Sequence, residues 1–113
     1  MVSHGVGRKL HLGLNKLQEI PDEIKCLSEL QELMCSNNHI VMVSPAIQAL
    51  THLRALALAS NRLESLPTAE LESLPLLEHM TIHNNPISKN SVIAPLRSRR
   101  ELLEFLDSIN KQN

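Results

Sequence analysis

Apolar and polar positions along this chain repeat with a period of about 23 residues. Four asparagines lie at spacings of 23, 23 and 24 residues, and the same arrangement of aliphatic residues surrounds each of them. Just before the asparagine, apolar residues alternate with polar or small ones, as at Leu56 and Leu58, which is typical of a short strand with one buried face. A unit this short buries its apolar side only against a neighbouring unit, so the pattern predicts a stack of similar turns. The four asparagines are Asn15, Asn38, Asn61 and Asn85.

The second half of each period carries signals for a short helix. Pro21 precedes two acidic residues, Ser44 precedes Pro45, and Thr68 precedes an alanine and a glutamate. These residue types are common at helix N-termini. We therefore predict short helical turns that return the chain to the next strand and direct six aliphatic side chains into the core: Ile24, Leu27, Ile47, Leu50, Leu71 and Leu74.

The asparagine follows each strand, at the bend where the chain leaves the sheet. A side-chain amide at that position can pair with backbone groups of the turns above and below it. Without such a partner, each buried backbone group would cost roughly 1–3 kcal/mol. We therefore predict that the four asparagines form a ladder along the stack.

This pattern resembles the leucine-rich repeat family, whose signature is L-x-x-L-x-L-x-x-N/C-x-L. The resemblance covers residues 7–87 and implies an α/β solenoid with parallel strands on the concave face and short helices or 3₁₀ turns on the convex face. The 23-residue period and the tail from Asn15 to Leu27 resemble the intracellular Ras-associated subclass, although Ser44 replaces the expected proline and the third copy has one extra residue. The clearest copy contains Leu30, Leu33, Cys35, Asn38, Ile40, Val43, Ile47 and Leu50.

The periodicity divides a single domain, residues 1–113, into four repeats and a C-terminal cap. The repeats span about 7–29, 30–52, 53–76 and 77–90, and the cap spans 91–113. Within the cap, residues 98–109 have the pattern of an amphipathic helix, and Ser98 with Glu101 forms a candidate capping box at its start. We expect its apolar face to close the core below the last strand; this face comprises Leu102, Leu103, Phe105, Leu106 and Ile109.

The N-terminal end of the array lacks a comparable cap in the sequence. Gly7 stands where the pattern expects a leucine, and the six residues before it contain no helix signal. Two interpretations remain open. Either the edge of the first strand is exposed and available for self-association with another chain, or this chain continues a longer array.

The variable positions of the four strands predict a binding surface on the concave face. In a stack of parallel strands, equivalent positions align in rows across the sheet, and a partner meets these rows rather than the buried leucines. Trp and Tyr, which often anchor protein interfaces, are absent from this chain, so a protein contact would depend mainly on arginine, methionine and histidine. The predicted surface comprises Arg8, Lys9, His11, Gln31, Glu32, Met34, Arg54, Ala57, Glu78, His79, Thr81 and His83, with an alanine patch at Ala55, Ala57 and Ala59.

Composition and motifs argue against several other classes of function. The formal net charge of −1 provides no general attraction to nucleic acid or anionic lipid, and the single aromatic residue, Phe105, is needed in the cap. His79 and His83 would lie about 13 Å apart along a strand, too far to bind one metal ion. The sequence contains no phosphate-binding glycine loop, no C-x-x-C motif and no metalloprotease motif, and we predict no cofactor, no catalytic activity and no membrane span.

Two further groups of residues have both a structural and a functional interpretation. Cys26 and Cys35 fit buried thiols of a reducing, cytoplasmic environment, since no cysteine-rich cap accompanies them. Arg97, Arg99 and Arg100 oppose the dipole of the cap helix. They fit either a solvated basic turn or a small patch that binds an acidic or phosphate-bearing partner.

The sequence therefore supports two functional hypotheses. The first is a non-catalytic protein-interaction module that binds a protein partner through the concave face. The resemblance implies a scaffold or adaptor role, often in signalling by small GTPases or in the assembly of a multisubunit complex. The second is a structural C-terminal capping segment of a longer leucine-rich repeat protein, in which recognition occurs upstream.

Overall fold

The computed structural model describes residues 8–88 and 96–111. The predictions for Gly7, for the segment before it and for residues 89–95 and 112–113 lie outside this part of the chain. The described residues include a four-stranded parallel sheet with one strand from each repeat, and this confirms the predicted solenoid. Its strands, in spatial order, are β1 (Lys9–His11), β3 (Glu32–Met34), β5 (Ala55–Ala57) and β6 (His79–Thr81).

The register of this sheet places equivalent residues of successive repeats side by side. Leu10 pairs with Leu33, Leu33 with Leu56, and Leu56 with Met80. All four side chains are at most 6% exposed and form the strand side of the core. The residues between them point to the opposite, concave side of the sheet, as the pleat of a strand requires.

The return segments are short, as predicted, and differ in helix type. Two are 3₁₀ helices, Asp22–Cys26 and Pro45–Ala49, and the third is the α-helix α1, Thr68–Glu72. A fourth, Pro86–Ser88, is a single 3₁₀ turn. Two strands of two residues form a small parallel sheet between the first and second repeats: β2 (Glu19–Ile20) and β4 (Met42–Val43).

The second return segment begins after Ser44, whereas the first begins after Pro21. The Ser44 hydroxyl accepts a hydrogen bond from the backbone N–H of Ala46 at 3.0 Å, and Pro45 occupies the first helical position. The same hydroxyl donates to the carboxylate of Asp22 in the preceding repeat. Ser44 therefore caps one turn and connects it to another.

The asparagines join successive turns through their side-chain amides. Oδ1 of Asn61 accepts hydrogen bonds from the backbone N–H groups of Asn38 and Ile40, both at 3.1 Å. Nδ2 of Asn61 lies 3.1 Å from the carbonyl oxygen of Cys35 and 3.0 Å from that of Leu58. Asn38 and Asn85 make equivalent bonds and are also buried.

Asn15 differs from the other three asparagines. Its side chain is exposed, and Nδ2 donates only within its own turn, to the carbonyl oxygens of Leu12 at 3.0 Å and Gly13 at 3.2 Å. In the other copies, Oδ1 accepts a backbone N–H from the turn before, and no described turn precedes Asn15. The inter-turn bonds of the ladder thus begin at Asn38.

A left-handed residue precedes each of the four asparagines. Leu14, Asn37, Ser60 and Asn84 have φ between 57° and 63°. This conformation is favourable for asparagine and costly for leucine, whose Cβ approaches the following carbonyl oxygen. These residues therefore form the bend after the strand and do not extend the strand surface.

The C-terminal helix α2 spans Arg99–Lys111 and forms the predicted cap. Leu102, Phe105, Leu106 and Ile109 are buried against the core, and Leu103 is half-buried. The backbone N–H of Glu101 donates to the Ser98 hydroxyl at 3.2 Å. The Glu101 carboxylate accepts from the backbone N–H of Arg97 at 3.2 Å and from the Ser98 hydroxyl at 3.4 Å, and not from the backbone N–H of Ser98. The helix thus begins with a modified capping box.

The basic run at the start of α2 has a structural role that the sequence did not reveal. The guanidinium group of Arg99 donates to the carbonyl oxygens of Leu74 at 2.6 Å, Leu77 at 3.1 Å and Glu72 at 2.9 Å. These carbonyls lie at the end of α1 and in the segment that follows it. The interpretation of all three arginines as a solvated basic turn is therefore wrong for Arg99, which joins the cap to the third repeat.

Candidate functional site

The concave face consists of aligned rows of side chains that cross the four strands. The sheet register places Lys9, Glu32, Ala55 and His79 in one row, and His11, Met34, Ala57 and Thr81 in the next. The residues just before the strands form a third row, because each donates its backbone N–H to the carbonyl of its neighbour: Gln31 to Arg8 at 2.7 Å, Arg54 to Gln31 at 2.8 Å and Glu78 to Arg54 at 3.1 Å. The twelve residues predicted for the surface include eleven of these positions and His83, which follows β6.

Ion pairs occupy part of this surface and leave two of its arginines unpaired. Glu32 lies 3.6 Å from Nζ of Lys9 and 4.0 Å from Nε2 of His11, and Glu78 lies 3.6 Å from Nε2 of His79. Arg8 and Arg54 are exposed and make no ion pair with the described residues. The concave face therefore retains cationic groups available to a partner.

Residues after the repeats extend the concave sheet, which the sequence did not predict. Leu96 pairs with Met80 in an antiparallel bridge, with backbone N···O distances of 2.9 and 2.8 Å. Because this bridge runs antiparallel, Arg97 lies beside His79 and adds an exposed guanidinium to the last row. A bridge of one residue pair produces no periodic pattern. The only indication of it in the sequence is therefore the single apolar residue Leu96.

A shallow trough lies on the concave face between β3 and Arg97, toward the C-terminal end of the sheet. It has a volume of about 420 Å³ and is lined by Met34, Ala55, Ala57, His79, Thr81 and Arg97, together with the backbone side of the neighbouring core residues. Alanine occupies two successive outward positions of β5, where its short side chain leaves space between the longer side chains of β3 and β6. Ala59 is buried and lies beyond this opening.

Two polar atoms of the last repeat are buried and have no hydrogen-bond partner among the described residues. They are Oγ1 of Thr81 and Nδ1 of His83. Buried polar atoms are normally hydrogen-bonded, and an unpaired one often marks a site completed by another molecule. Thr81 is also one of the residues that line the trough.

The two cysteines occupy different environments. Cys35 replaces a core leucine and is 1% exposed, and burial raises the pKa of its thiol to about 12. Cys26 is exposed at the end of the first 3₁₀ helix, so the prediction that both thiols are buried is wrong for this residue. Within residues 8–88 and 96–111, no three His, Cys, Asp or Glu side chains are grouped closely enough to hold a metal ion, and no helix is long and apolar enough to cross a membrane.

A second open surface lies at the N-terminal end of the stack. It forms a groove of about 880 Å³ lined mainly by the apolar side chains of the first repeat, including Leu12, Leu17, Ile20 and Ile24. In the other repeats, the equivalent positions pack against the preceding turn. The outer edge of β1 is next to this groove and pairs with no other described strand.

Comparison with known proteins supports the interpretation of the fold. The family model described as "Leucine rich repeat" matches residues 28–87. Among curated proteins, the chain is 34% identical over 65 residues to U2 small nuclear ribonucleoprotein A′ of Schizosaccharomyces pombe, a match that covers 56% of this chain and 27% of that protein. The chain thus spans about a quarter of that relative's length.

A solved structure extends the comparison to nearly the whole chain. A chain in the crystal structure of the Drosophila melanogaster SNF/U2A′ complex superposes with a TM-score of 0.62 at 20% identity, covering 91% of this chain and 66% of the other. At this level of identity the match establishes a shared fold. The matches identify the repeat class, while the Ras-associated subclass stays a prediction.

Proposed function

This chain belongs to the leucine-rich repeat family, and we propose that it is a non-catalytic interaction module that binds a protein partner through its concave face. This proposal rests on the alignment of side chains in continuous rows across the four strands. It presents exposed polar and cationic side chains around the trough, and every leucine of the strands is used in the core.

The comparisons support a scaffold or adaptor role in a multisubunit assembly. The similar curated protein is named as a component of a small nuclear ribonucleoprotein, and the similar solved structure is a complex of two proteins. We therefore favour assembly of a complex over small-GTPase signalling as the role of this chain. Because of this similarity, the nucleus becomes a second candidate location besides the predicted cytoplasm. Imaging of a fluorescently tagged chain distinguishes the two compartments.

A charge-reversal experiment tests the concave face. The double variant Arg54→Glu/His79→Glu replaces two exposed residues of the concave rows. Affinity capture with mass spectrometry measures which proteins accompany the tagged chain. The matched control is Arg62→Glu/His52→Glu, because these side chains are also exposed but lie outside the strands of the sheet.

We expect the first variant to lose proteins that the wild type and the control both retain. Like charges introduced into a complementary interface cost several kcal/mol, enough to abolish capture. An unchanged set of captured proteins with Arg54→Glu/His79→Glu would refute binding through this face.

The alternative, a structural capping segment of a longer array, is favoured by the N-terminal end of the stack. The groove beside Leu17 and Ile20, and the exposed amide of Asn15, match the surface that one repeat presents to the next. Under this alternative, the concave variant would leave capture unchanged. Fusion of an additional leucine-rich turn before residue 8 would increase the free energy of unfolding.

A further inference from the structure

The trough of the concave face has a floor suited to one aliphatic side chain. Its lining is predominantly carbon, from Met34 and from the methyl groups of Ala55 and Ala57, and its volume of about 420 Å³ exceeds that of a leucine or methionine side chain. Apolar surface of this kind gains roughly 25 cal/mol for each Å² removed from water. An anion alone would leave this floor exposed.

Two unpaired arginines lie beside the trough. Arg54 precedes Ala55 in the chain, and Arg97 lies beside His79 at the opposite side. Both guanidinium groups are exposed and make no ion pair with the described residues. The two carboxylates of the strand rows, Glu32 and Glu78, are already paired with Lys9 and His79. The charged groups beside this opening that have no ion-pair partner among the described residues are therefore the two guanidinium groups.

The buried hydroxyl of Thr81 adds a directional donor at the same place. Oγ1 has no hydrogen-bond partner among the described residues, and the residue lines the trough. A carboxylate that reaches this hydroxyl would accept a hydrogen bond from it and would also pair with a guanidinium. Hydrogen bonds to an ionised acceptor are shorter and about twice as strong as neutral ones.

From these three features we propose that the concave face recognises an acidic protein segment in which one aliphatic side chain is flanked by carboxylates. The aliphatic side chain fills the trough above Ala55 and Ala57, and the carboxylates bind Arg54, Arg97 and the Thr81 hydroxyl. This inference rests on the proposed function of the concave face and specifies the chemistry of the partner.

The test uses the whole chain labelled with ¹⁵N and a short synthetic peptide with one leucine flanked on both sides by glutamates. Two-dimensional NMR titration should shift the backbone resonances of β5, β6 and Arg97 selectively, and the peptide should bind more weakly as salt increases. Replacing the leucine by serine, or the glutamates by lysines, should weaken binding at least tenfold.

Protein variants identify the same contacts. Ala57→Leu fills the trough and should abolish the shifts, and Arg97→Glu should weaken binding at least tenfold. Arg100→Glu is the matched control because Arg100 is exposed close by in the chain and pairs with Glu104 at 3.2 Å instead of facing the trough. Urea unfolding of each variant verifies that the fold is retained. Thr81→Val is a further variant, which removes only the hydroxyl donor of Thr81.

Three results would overturn the proposal: equal binding of the lysine peptide, shifts outside the concave face, or tighter binding of a single-stranded oligonucleotide than of the acidic peptide. The proposed function can survive this failure. If Arg54→Glu/His79→Glu still loses captured proteins while the acidic peptide does not bind, the concave face recognises a protein of different chemistry.

Discussion

At the scale of single residues, Asn61 shows how a polar side chain stabilises the interior of the stack. Its Oδ1 accepts two backbone N–H groups of the preceding turn, and Nδ2 lies within 3.2 Å of three carbonyl oxygens. Because these groups are buried, removal of the amide takes away the hydrogen-bond partner that the fold provides for them. The residue therefore acts as a connection between two turns rather than as a surface group.

We expect Asn61→Ala to lower the free energy of unfolding by about 3 kcal/mol, since several buried backbone groups would lose their partners. Urea denaturation followed by circular dichroism measures this loss. Asn15→Ala is the matched control and should cost less than about 1 kcal/mol, because the exposed Asn15 bonds only within its own turn. Equal losses for the two variants would contradict a role for the ladder in joining turns.

The buried thiol of Cys35 should make the free energy of unfolding depend on pH in the alkaline range. Burial raises the pKa of its thiol from 9.0 to about 12, so the folded protein keeps the proton while the unfolded chain releases it above about pH 9. Below pH 9 this contribution to stability is complete. It decreases as pH rises from 9 toward 12, with a slope of at most about 1.4 kcal/mol per pH unit.

Urea unfolding of the wild type and of Cys35→Ala, each measured at several pH values above 9, tests this contribution. The variant should have lower stability at neutral pH and a smaller loss on going to alkaline pH. A slope identical in Cys35→Ala and wild type would show that other groups cause the alkaline loss.

At the scale of secondary structure elements, Arg99 joins α2 to the end of α1 and to the segment that follows it. Arg99 donates to three carbonyl oxygens that α1 and the following segment leave without helical partners. The planar guanidinium reaches all three at once, which a single ammonium group cannot reproduce.

We therefore expect Arg99→Ala to lower the free energy of unfolding by about 2–3 kcal/mol, and Arg99→Lys to recover only part of it. Thermal and urea unfolding provide the measurement. Arg100→Ala, which removes an exposed pair with Glu104, should cost less than about 0.5 kcal/mol. If Arg99→Ala and Arg100→Ala were equally mild, the carbonyl contacts of Arg99 would not stabilise the cap.

The elements differ in how well the sequence predicts them. The strands and return turns could be predicted because each repeats a pattern in which a one-residue shift would expose leucines such as Leu33. The contacts of Arg99 and the bridge at Leu96 could not be predicted from the sequence. Each occurs only once among the described residues and joins residues about 16 to 27 positions apart. The rows of the concave face were predictable from the repeat register, whereas the inclusion of Arg97 and the unpaired Thr81 hydroxyl required the structure.

At the scale of the whole molecule, the distribution of charge matters more than its sum. A formal net charge of −1 gave no indication of a preferred partner, yet stacking brings Arg8, Lys9 and Arg54 onto one surface. Many of the acidic residues, such as Glu23 and Glu70, lie on the return segments instead. The concave rows also contain Glu32 and Glu78, but both are paired there with basic side chains, so the unpaired charges of this face are guanidinium groups.

The edge of β1 predicts self-association of the whole molecule. The backbone groups of Arg8 and Leu12 bond to β3, so alternation along the strand directs those of Lys9 and His11 to the open edge. Light scattering should give a mass above 12.6 kDa that increases with protein concentration. His11→Pro removes the outward N–H without breaking a bond to β3 and should restore the monomer, while His11→Ala keeps the N–H and should associate as wild type does. A wild-type chain that is monomeric at every concentration would contradict pairing through this edge.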